Sequence, residues 1–567
     1  PVMETILKRD RNRNILRFVR TAPCRACGGT RLGPRARSVS VHGYDIAALA
    51  ALQLDELGAI LQGLPFSPAE RVIAGPIVSE VQKQVGVLSA LGLGYLSADR
   101  DSTTLSGGES QRLRLAAQAG IALSGLICIF DEPSAGMHPH DARQVIGVLK
   151  GIRDRGNTVI VVEHDDAFMR HADWLIDIGP GPGLHGGEVL YNGPAHPLPA
   201  IPAETLRRSR TLSMLLEGES DTAPRAVRDD GGWLTVTGAS ARNLCRIDVA
   251  FRLRALNVVT GVSGAGKSAL VHEVLGAGLE KKLEGQEGVP GGAVQIGGWE
   301  AIRKLISIDQ SPIGRTPRSN PATYTGLFDP VRDLFARQEE AVSRGFGKGR
   351  FSFNTEGGRC ESCEGAGYRQ EGMHFLGTVE VPCETCEGRR FDRATLEVKV
   401  AGKSISEVLE MTVEEAIGFF TGEEKILRIL HTLDSLGLGY LTLGQRSSTL
   451  SGGEAQRIKL ATELARPAPG HTLYLLDEPT TGLHDADVQV LLQALERLVE
   501  QGHTVILVEH HHAVIRAADH VNDLGPGSGR HGGQLVYAGA PAGLEDCPDS
   551  LTGQALRERR EVLEPKA

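Results

Sequence analysis

Residues Asn257–Leu275 read NVVTGVSGAGKSALVHEVL, a short apolar run that leads through a glycine-rich turn into a helix-like pattern. The spacing Gly261-x4-Gly266-Lys267-Ser268 is typical of a loop that wraps phosphates with inward-pointing backbone N–H groups. The helix that follows adds the partial positive charge of its N-terminus. Lys267 is therefore expected to meet the β- and γ-phosphates of a nucleotide, and Ser268 to hold Mg²⁺. The alternative, a glycine-rich turn without a ligand, is disfavoured by the strand before it and the helix after it. The predicted nucleotide contacts in this loop are Gly261, Val262, Ser263, Gly264, Ala265, Gly266, Lys267 and Ser268.

Composition limits the class of protein. The 567 residues carry a net charge of −9, which argues against a uniformly basic nucleic-acid binder but leaves local basic patches possible. No apolar run approaches the roughly 18 residues of a membrane span, and no signal peptide is recognisable, so we expect no membrane partner. Nine cysteines include three Cys-x2-Cys pairs, a metal-site pattern that fits the reducing cytosol. The chain begins Pro1-Val2-Met3, and we expect its N-terminus to be incomplete.

One internal repeat dominates the chain. Its two copies match at a nearly constant offset, for example Ser106 with Ser451 (345 residues apart) and Asp131 with Asp477 (346 apart). The repeated segments are LGLGY, STTLSGGESQRLRLA with SSTLSGGEAQRIKLA, FDEPSAGMHPHD with LDEPTTGLHDAD, VVEHD with VEHHH, and DIGPG with DLGPG. A constant offset indicates two copies of one domain rather than scattered motifs.

The first copy is predicted to be incomplete. It has no counterpart of the phosphate loop, and it has one Cys-x2-Cys pair, Cys24 and Cys27, where the second copy has two. We predict an α/β protein with two tandem P-loop domains, each carrying a helical signature region and a zinc module. Residues 1–193 are the C-terminal portion of the first domain, 194–232 a linker with one short helix, and 233–567 the second domain. Within the second, the zinc module covers about 351–392 and the signature region about 400–465. The helical spacing of apolar residues over 405–420 and 424–436 predicts helices there. We expect the polar tail from Asp546 to fray.

An Asp-Glu pair ends a buried strand pattern in each copy. The pairs are Asp131-Glu132 and Asp477-Glu478. An aspartate at a strand end can hold the Mg²⁺ that bridges nucleotide phosphates, and the adjacent glutamate can polarise the attacking water. A helix cap is the usual alternative for such a pair, and the recurrence beside a phosphate loop favours catalysis.

A Ser-Gly-Gly triplet opens a helix-like run in each copy. Serine caps a helix, and two glycines leave backbone N–H groups uncovered, so each triplet predicts a second anion cradle. Alone the triplet is only a good cap, but within LSGGExQR at matching offsets it indicates function. The residues concerned are Ser106, Gly107, Gly108, Ser451, Gly452 and Gly453.

Together these motifs, with His164 and His510 after the next strand, resemble ATP-binding-cassette ATPases. In that family the signature serine of one copy closes over the nucleotide held by the other copy. The resemblance therefore implies two composite sites. One joins Lys267, Ser268, Asp477, Glu478 and His510 to Ser106–Glu109. The other joins Asp131, Glu132 and His164 to Ser451–Glu454, with its phosphate loop absent from this sequence.

The segments SIDQSPIGRTPRSNPATYTG (307–326), RFSFNTEGGRCESC (from 350) and MHFLGTVEVPCETC (from 373) narrow the resemblance to the UvrA family. This family implies an ATPase that recognises damaged double-stranded DNA in nucleotide excision repair, acts as a homodimer, and uses Gln310 to sense Mg²⁺ and nucleotide. Departures such as LSGGESQR and VEHHHAVIRAADH lean toward a second class of UvrA-like proteins, linked to tolerance of DNA-binding drugs. That class lacks the region that docks the excinuclease B subunit, so this partnership stays open.

The second copy contains Cys-x2-Cys-x19-Cys-x2-Cys, formed by Cys360, Cys363, Cys383 and Cys386. Four thiolates at this spacing predict a closed tetrahedral zinc site that is structural, with no open position for catalysis. The alternative is a set of unrelated reduced cysteines. Zinc would fix a hairpin whose tip carries Arg369, Met373, His374 and Phe375, and the resemblance implies that this hairpin senses damaged DNA. The alternative is that the hairpin has only a structural role.

Basic residues near this module are candidates for DNA phosphate contacts, although each alone is usually a solvated surface charge. We single out Arg344, Lys348, Arg350 and Arg369, with Arg303, Lys304, Arg315 and Arg318 before them. Two other functions are weighed: a cassette ATPase that drives a drug exporter, and a remnant that does not hydrolyse ATP. The cysteine module opposes the first, and intact Lys267, Asp477 and Glu478 oppose the second.

Overall fold

The computed structural model describes residues 24–105, 107–120, 123–181, 183–217, 231–286, 288, 295–314, 316, 318–373, 377–466 and 470–563. The chain divides into two compact units, Pro1–Ala122 and Leu123–Ala567, and each is described by itself. The domain boundaries drawn from the sequence follow the repeat instead, and they stay a prediction.

The described strands, in chain order, are β1 (Ser40–Val41), β2 (Tyr44–Asp45), β3 (Ile127–Asp131), β4 (Thr158–Val162), β5 (Trp174–Gly179), β6 (Glu188–Pro194), β7 (Trp233–Ala239), β8 (Ile247–Arg252), β9 (Leu256–Thr260), β10 (Gln295–Gly297), β11 (Ile302–Ile308), β12 (Tyr368–Met373), β13 (Gly377–Pro382), β14 (Lys399–Val400), β15 (Lys403–Ser404), β16 (His471–Asp477), β17 (Thr504–Val508), β18 (His520–Gly525) and β19 (Gln534–Gly539).

The described α-helices are α1 (Pro34–Arg37), α2 (Ile46–Ala51), α3 (Leu54–Gly63), α4 (Pro68–Ala90), α5 (Gly107–Ala119), α6 (Pro139–Asp154), α7 (Asp166–His171), α8 (Ala203–Arg208), α9 (Arg210–Glu217), α10 (Ala277–Leu283), α11 (Pro321–Tyr324), α12 (Phe328–Ala336), α13 (Glu339–Ser343), α14 (Arg393–Glu397), α15 (Ile405–Glu410), α16 (Val413–Phe419), α17 (Glu424–Asp434), α18 (Gly452–Leu464), α19 (Asp485–Glu500), α20 (His512–Ala517), α21 (Pro541–Leu544) and α22 (Leu551–Leu563). A π-helical segment, Ala269–Gly276, leads directly into α10.

A six-stranded sheet in the order β11-β16-β17-β9-β18-β19 organises the second unit. Its first five strands run parallel, and β19 pairs antiparallel with β18. Every residue of β9 and β17 is buried, as expected for parallel strands that are covered on both faces. Because parallel strands end at one edge, the segments after β9, β16 and β17 meet there, and this edge carries the site. The observed α/β architecture confirms the predicted fold class.

The two faces of this sheet pack into separate cores. Val258 belongs to a cluster with the signature helices and the zinc-module phenylalanines, and Val259 belongs to a cluster with β7, β8 and the π-helical segment. The change of face between adjacent residues follows from the two-residue period of a strand. The helices predicted over 405–420 and 424–436 are confirmed as α15, α16 and α17, the first two opened by capping boxes at Ser404 and Thr412.

Among the described residues, the part of the first copy that lies in the second unit has two strand pairs where the second copy has a six-stranded sheet. β3 pairs in parallel with β4, and β5 pairs antiparallel with β6, as β16 does with β17 and β18 with β19. In the second copy β9 lies between the two pairs, whereas the described part of the first copy has no such strand. Several apolar side chains on its strands are accordingly exposed, among them Ile127 (70%), Ile129 (66%) and Ile178 (65%).

In the first unit, α4 begins at a capping box formed by Ser67 and Glu70, and α3 and α4 pack together. Arg112 on α5 is buried and donates from Nη1 to the carbonyl of Leu91 at 3.2 Å. This bond ties the signature helix of the first copy to its LGLGY segment, as the bond from Arg457 to Leu436 does in the second copy.

The expected fraying of the C-terminal tail is wrong. Residues Leu551–Leu563 form helix α22, which packs on α6. Thr552 and Leu556 are buried, and Thr552 donates its hydroxyl to Asp523 Oδ1 at 2.9 Å. The tail is ordered because it has partners in both copies, which its polar composition does not reveal. The predicted linker helix also differs, since residues 203–217 form two helices, α8 and α9.

Candidate nucleotide and metal sites

The predicted phosphate loop follows β9 at the carboxyl edge of the sheet. Gly261 has φ +128, and a Cβ there would come within 2.0 Å of the Leu524 carbonyl oxygen, so only glycine fits. Gly266 has φ +110, and an added Cβ would lie 2.8 Å from Leu244. Asn243 steadies the loop by donating to the carbonyl of Gly264 at 3.0 Å. The backbone is thus held in the conformation that a phosphate cradle needs.

The lysine side chain and one backbone N–H of this loop have partners within the protein. Lys267 Nζ is buried and donates to the carbonyls of Gly261 and Val262 at 2.8 and 3.0 Å. Burial lowers the pKa of Lys267, and the carboxylates of Glu478 and Asp141 oppose that shift. The backbone N–H of Ser263 donates to Oδ2 of the buried Asp141 at 3.1 Å. A carboxylate from the first copy therefore accepts a hydrogen bond from a backbone N–H of the kind that binds phosphate.

The predicted Mg²⁺ ligand Asp477 ends β16. Its Oδ2 lies 3.4 Å from His272 Nε2, while its Oδ1 is buried without a hydrogen-bond partner among the described residues. An orphaned buried carboxylate oxygen fits a cation ligand, because burial without a partner is costly. Ser268, the other expected ligand, is exposed at the start of the helical segment. The donor set is hard oxygen, as Mg²⁺ prefers.

Both predicted catalytic glutamates sit in strained backbone. Glu132 has φ +44 and Glu478 has φ +46, a left-handed conformation that is uncommon outside glycine. The N–H of Glu478 donates to Val508 at 2.8 Å and that of Glu132 to Val162 at 2.9 Å, so the neighbouring strand imposes the strain. Such outliers cluster at functional sites.

A histidine accompanies each glutamate. Nε2 of His164 lies 3.4 Å from Glu132 Oε1, and Nε2 of His510 lies 4.0 Å from Glu478 Oε1. The hydrogen bond to Glu132 raises the pKa of His164. The predicted catalytic residues of both copies are therefore adjacent in pairs, although Asp131, with an exposed side chain, ends β3 where the described chain has no phosphate loop beside it.

The two copies meet through these glutamates. A Cβ on Gly136 would lie 2.3 Å from Glu478 Oε2, and a Cβ on Gly482 would lie 3.2 Å from Glu132 Oε2. Each glutamate thus touches the glycine turn that follows the Asp-Glu pair of the other copy. A cavity of about 380 Å³ lies between them, and it is lined by both glutamates and by His164 and His510. The carboxylate of each copy therefore lies against the backbone of the other copy.

Ser451 caps α18 in a capping box with Glu454, as its sequence predicts. Gly453 leaves no room for a side chain, because a Cβ would lie 2.5 Å from the Thr481 carbonyl oxygen. A Cβ on Gly452 would lie 3.3 Å from Gln310, so the signature segment contacts the glutamine that we expect to sense nucleotide. Gln310 Nε2 in turn donates to the Glu478 carbonyl at 3.3 Å.

In the first unit, Gly107 and Gly108 open α5, and Glu109 accepts from the Tyr95 hydroxyl at 2.5 Å. Ser106 lies outside the described residues. The composite site that joins Lys267 to Ser106 therefore stays a prediction.

The four later cysteines converge. Their sulfurs all lie within 4.8 Å of one another, and Sγ of Cys363 and Cys386 are 3.7 Å apart. All four are buried. Burial opposes ionisation of Cys383, yet the backbone N–H groups of Cys386 and Thr385 lower the pKa of Cys383 to about 6. Four converging sulfurs fit a closed tetrahedral metal site, for which zinc is the usual occupant.

Known proteins resemble this chain in sequence and in structure. A sequence profile of the ABC transporter family matches residues 377–481. The crystal structure of UvrA2 from Deinococcus radiodurans has a TM-score of 0.90 with this chain at 43% identity, covering 98% of this chain and 69% of that one. The chain belongs to the UvrA family.

UvrA relatives also match in sequence. UvrABC system protein A of Thermus thermophilus is 51% identical over 527 residues, which are 92% of this chain and 55% of the relative. The Bacillus subtilis protein of the same name is 48% identical over 537 residues, which are 94% of this chain and 55% of the relative. The chain spans about half the length of the curated relatives it matches.

The cysteine pair of the first copy is the next predicted site of this UvrA-family chain. Cys24 is exposed and Cys27 half-buried in a turn where the N–H of Gly28 donates to the Cys24 carbonyl at 2.7 Å. Among the described residues they are not part of a larger cluster of possible metal ligands. The pair stays a predicted half-site.

The candidate DNA contacts make ion pairs within the domain. Arg344 pairs with Glu397 at 2.8 Å, Lys348 with Asp333 at 3.0 Å, and Arg350 with Asp392 at 2.7 Å. The placement of Arg369 at the hairpin tip is wrong, because Arg369 pairs with Val381 near the root of the hairpin. Its side chain is exposed and donates to the Ser362 hydroxyl at 2.5 Å. Of the hairpin tip, His374 and Phe375 lie outside the described residues, as does Arg315. Because pairing already satisfies three of these cations, Arg369 is the candidate most open to a phosphate.

Sequence reasoning missed two residues at the nucleotide site, His138 and Asp141. His138 is buried, packs its ring 5.5 Å from that of His510, and lies 3.0 Å from the Thr552 hydroxyl. Burial lowers the pKa of His138 to about 3, so it is neutral. The signal was available, since the repeat places a histidine and an aspartate at the same positions in DEPSAGMHPHD and DEPTTGLHDAD.

Proposed function

We propose that this chain is the ATP-hydrolysing, DNA-binding part of a UvrA-type protein that recognises damaged DNA in nucleotide excision repair. The reciprocal contact of Glu132 and Glu478 with the glycine turns of the opposite copies carries the proposal. A site to which both copies contribute suits an ATPase that gates a large ligand. Lesions would be recognised through distortion and backbone shape rather than base sequence.

At the second copy, Lys267 and the loop N–H groups hold the phosphates of ATP. Asp477 and Ser268 hold Mg²⁺, with Gln310 beside them, and Glu478 activates the attacking water with His510 adjacent. Ser106, Gly107 and Gly108 close this site. Ser451, Gly452 and Gly453 close the reciprocal site of Asp131, Glu132 and His164.

The cysteine cluster holds structural zinc and fixes the β12–β13 hairpin, whose Arg369 approaches DNA. Cys24 and Cys27 supply half of a second zinc site. We further propose a homodimer in the cytosol, where thiols stay reduced. Among the described residues no helix combines the length and apolar character that crossing a membrane requires. The excinuclease B subunit is a proposed partner, and the absence of this partnership would favour the class of UvrA-like proteins linked to drug tolerance.

The test measures ATP turnover and nucleotide binding of the chain. Turnover should respond to a duplex carrying a bulky adduct more than to the same undamaged duplex, and not to lipid vesicles. Lys267→Ala should abolish nucleotide binding at this site, whereas Arg393→Ala, at a side chain that is 96% exposed, should not.

Each other outcome contradicts part of the proposal. A response to vesicles alone would favour a cassette that drives an exporter. Undetectable turnover in a full-length protein would favour the remnant that does not hydrolyse ATP. Unchanged nucleotide affinity in Lys267→Ala would remove the phosphate-loop assignment.

A further inference from the structure

Arg446, directly before the signature segment, contacts both strands at the root of the four-cysteine hairpin. The guanidinium carbon of Arg446 lies 4.5 Å from the ring centroid of Tyr368, at the start of β12. Its Nη1 also forms an ion pair with Glu380 on β13. One side chain thus contacts both strands of the hairpin.

The register of the hairpin explains why both partners are available. Tyr368 pairs with Pro382, and Gln370 pairs with Glu380. Residues two apart on a strand share a face, so Tyr368 and Glu380 are diagonal neighbours on the same face. Arg446 lies across that face and is 29% exposed, so water screens the ion pair only in part.

Arg446 is also fixed to the signature segment. Its carbonyl accepts from the N–H and the hydroxyl of Thr449 at 3.0 and 2.9 Å, which closes the 3₁₀ turn Ser447–Thr449. Ser451, the cap of α18, follows two residues after that turn. A displacement of Arg446 would therefore act on Ser451 through one hydrogen-bonded turn.

A second arginine joins the same two regions, but this one belongs to the cysteine module and reaches the segment before the signature. Arg390, at the base of the cysteine module, donates from Nη2 to the Gly444 carbonyl at 3.0 Å. Its guanidinium carbon also lies 5.3 Å from the ring centroid of Phe353. The N–H of Ser447 donates to the carbonyl of Ser319 at 2.9 Å, which ties the turn to the segment after Gln310 as well. The hairpin root and the signature segment are connected through side chains rather than through a shared strand.

We propose that Arg446 is a positioning residue that couples the orientation of the four-cysteine hairpin to that of the signature segment Ser447–Glu454. The identity of the ligand that moves the hairpin, duplex DNA, rests on the proposed function. The coupling itself does not, because it is a property of contacts within the chain. Energetic coupling is reciprocal, so each side must report a change made on the other.

Hydrogen exchange tests this reciprocity in the whole chain. Tyr368→Leu, which keeps apolar bulk but removes the aromatic face, should speed amide exchange in Ser447–Ser451 by about fivefold. Arg446→Ala should speed exchange at the amides of β12 and β13 by a similar factor. Arg393→Ala is the matched control and should change neither region. Zinc content should stay at the wild-type value in all three, which shows that the module is folded.

Turnover supplies the second readout. Arg446→Ala should reduce the stimulation of ATP turnover by duplex DNA about fivefold while basal turnover and nucleotide affinity stay within about twofold. Glu380→Gln, which keeps the side-chain shape, should give a smaller reduction in the same direction. A merely structural role would lower basal turnover and stimulation together, and that result would overturn the proposal.

The remaining outcomes separate the two proposals. Unchanged exchange in Ser447–Ser451 of Tyr368→Leu overturns the coupling, even where the wild-type chain responds to DNA. A wild-type chain whose turnover ignores duplex DNA overturns the proposed function, and the exchange experiment then still decides the coupling.

Discussion

Gly136 of the first copy lies directly against Glu478 of the second, so that a Cβ at Gly136 would come within 2.3 Å of Glu478 Oε2. The glycine also has φ +66, a conformation that other residues rarely adopt. Gly482 stands in the same relation to Glu132. The two carboxylates that we propose to activate water therefore lie against the opposite copy, and this relationship leads to the first prediction.

Gly136→Ala should displace the Glu478 carboxylate and lower ATP turnover at least about tenfold, since general-base catalysis depends on placement within hydrogen-bond reach. Nucleotide affinity should stay within about twofold, because the phosphate loop is untouched. Gly147→Ala is the control, since a Cβ at this position in α6 would meet nothing within 4 Å. Equal turnover in the two variants would show that the contact has no catalytic consequence.

Glu478→Gln should lower turnover by about two to three orders of magnitude while nucleotide still binds, because the amide cannot accept a proton from water. Steady-state turnover and the affinity of a fluorescent ATP analogue are the two measurements. Glu558→Gln, at an exposed residue of α22 that pairs with Arg143, serves as the control. Turnover retained in Glu478→Gln would assign the base to another residue.

Cys383→Ser should release the metal of the cysteine cluster, because three sulfurs and a hydroxyl hold zinc poorly. Zinc bound per chain, measured by atomic emission, should fall by one relative to wild type. Proteolysis within β12–β13 should become faster at the same time. Cys245→Ser, at an exposed cysteine outside the cluster, should leave both values unchanged. Full zinc content in Cys383→Ser would separate this cysteine from the site.

Asp165 predicts a pH dependence of stability. Burial, with the nearby charges of Asp166 and Glu163, raises the pKa of Asp165 from 3.8 to about 7. The folded chain therefore holds this proton more tightly than the unfolded chain, so the contribution to stability is full below about pH 4 and is lost as pH rises to about 7.

Asp165→Asn should remove this dependence, because asparagine caps α7 as well as aspartate does and does not titrate. The urea midpoint of the variant should exceed that of wild type at pH 8 and approach it at pH 5. Asp154→Asn, at an exposed carboxylate on α6, should follow the wild-type curve. If the urea midpoint of Asp165→Asn followed the wild-type pH curve, the pH dependence would belong to another group.

The sequence alone predicted the parts of the site that depend on local spacing. The glycine positions of the phosphate loop, the helix cap at Ser451 and the helices from 405 to 436 follow from backbone preferences within a few residues. The four-cysteine set was predicted for the same reason, since two Cys-x2-Cys pairs need only one hairpin to bring them together. The constant repeat offset extended these local patterns to two copies.

Tertiary structure decided which of these parts touch. Gly136 and Glu478 are 342 residues apart in the chain, and Asp141 and Ser263 are 122 residues apart. No periodicity links their positions. The order of the C-terminal helix likewise depends on partners in both copies, which is why its polar composition misled the sequence-based expectation. Spacing along the chain determined the components of the site. Contacts between the copies determined how these components face one another, because such contacts arise only when two cores pack against each other.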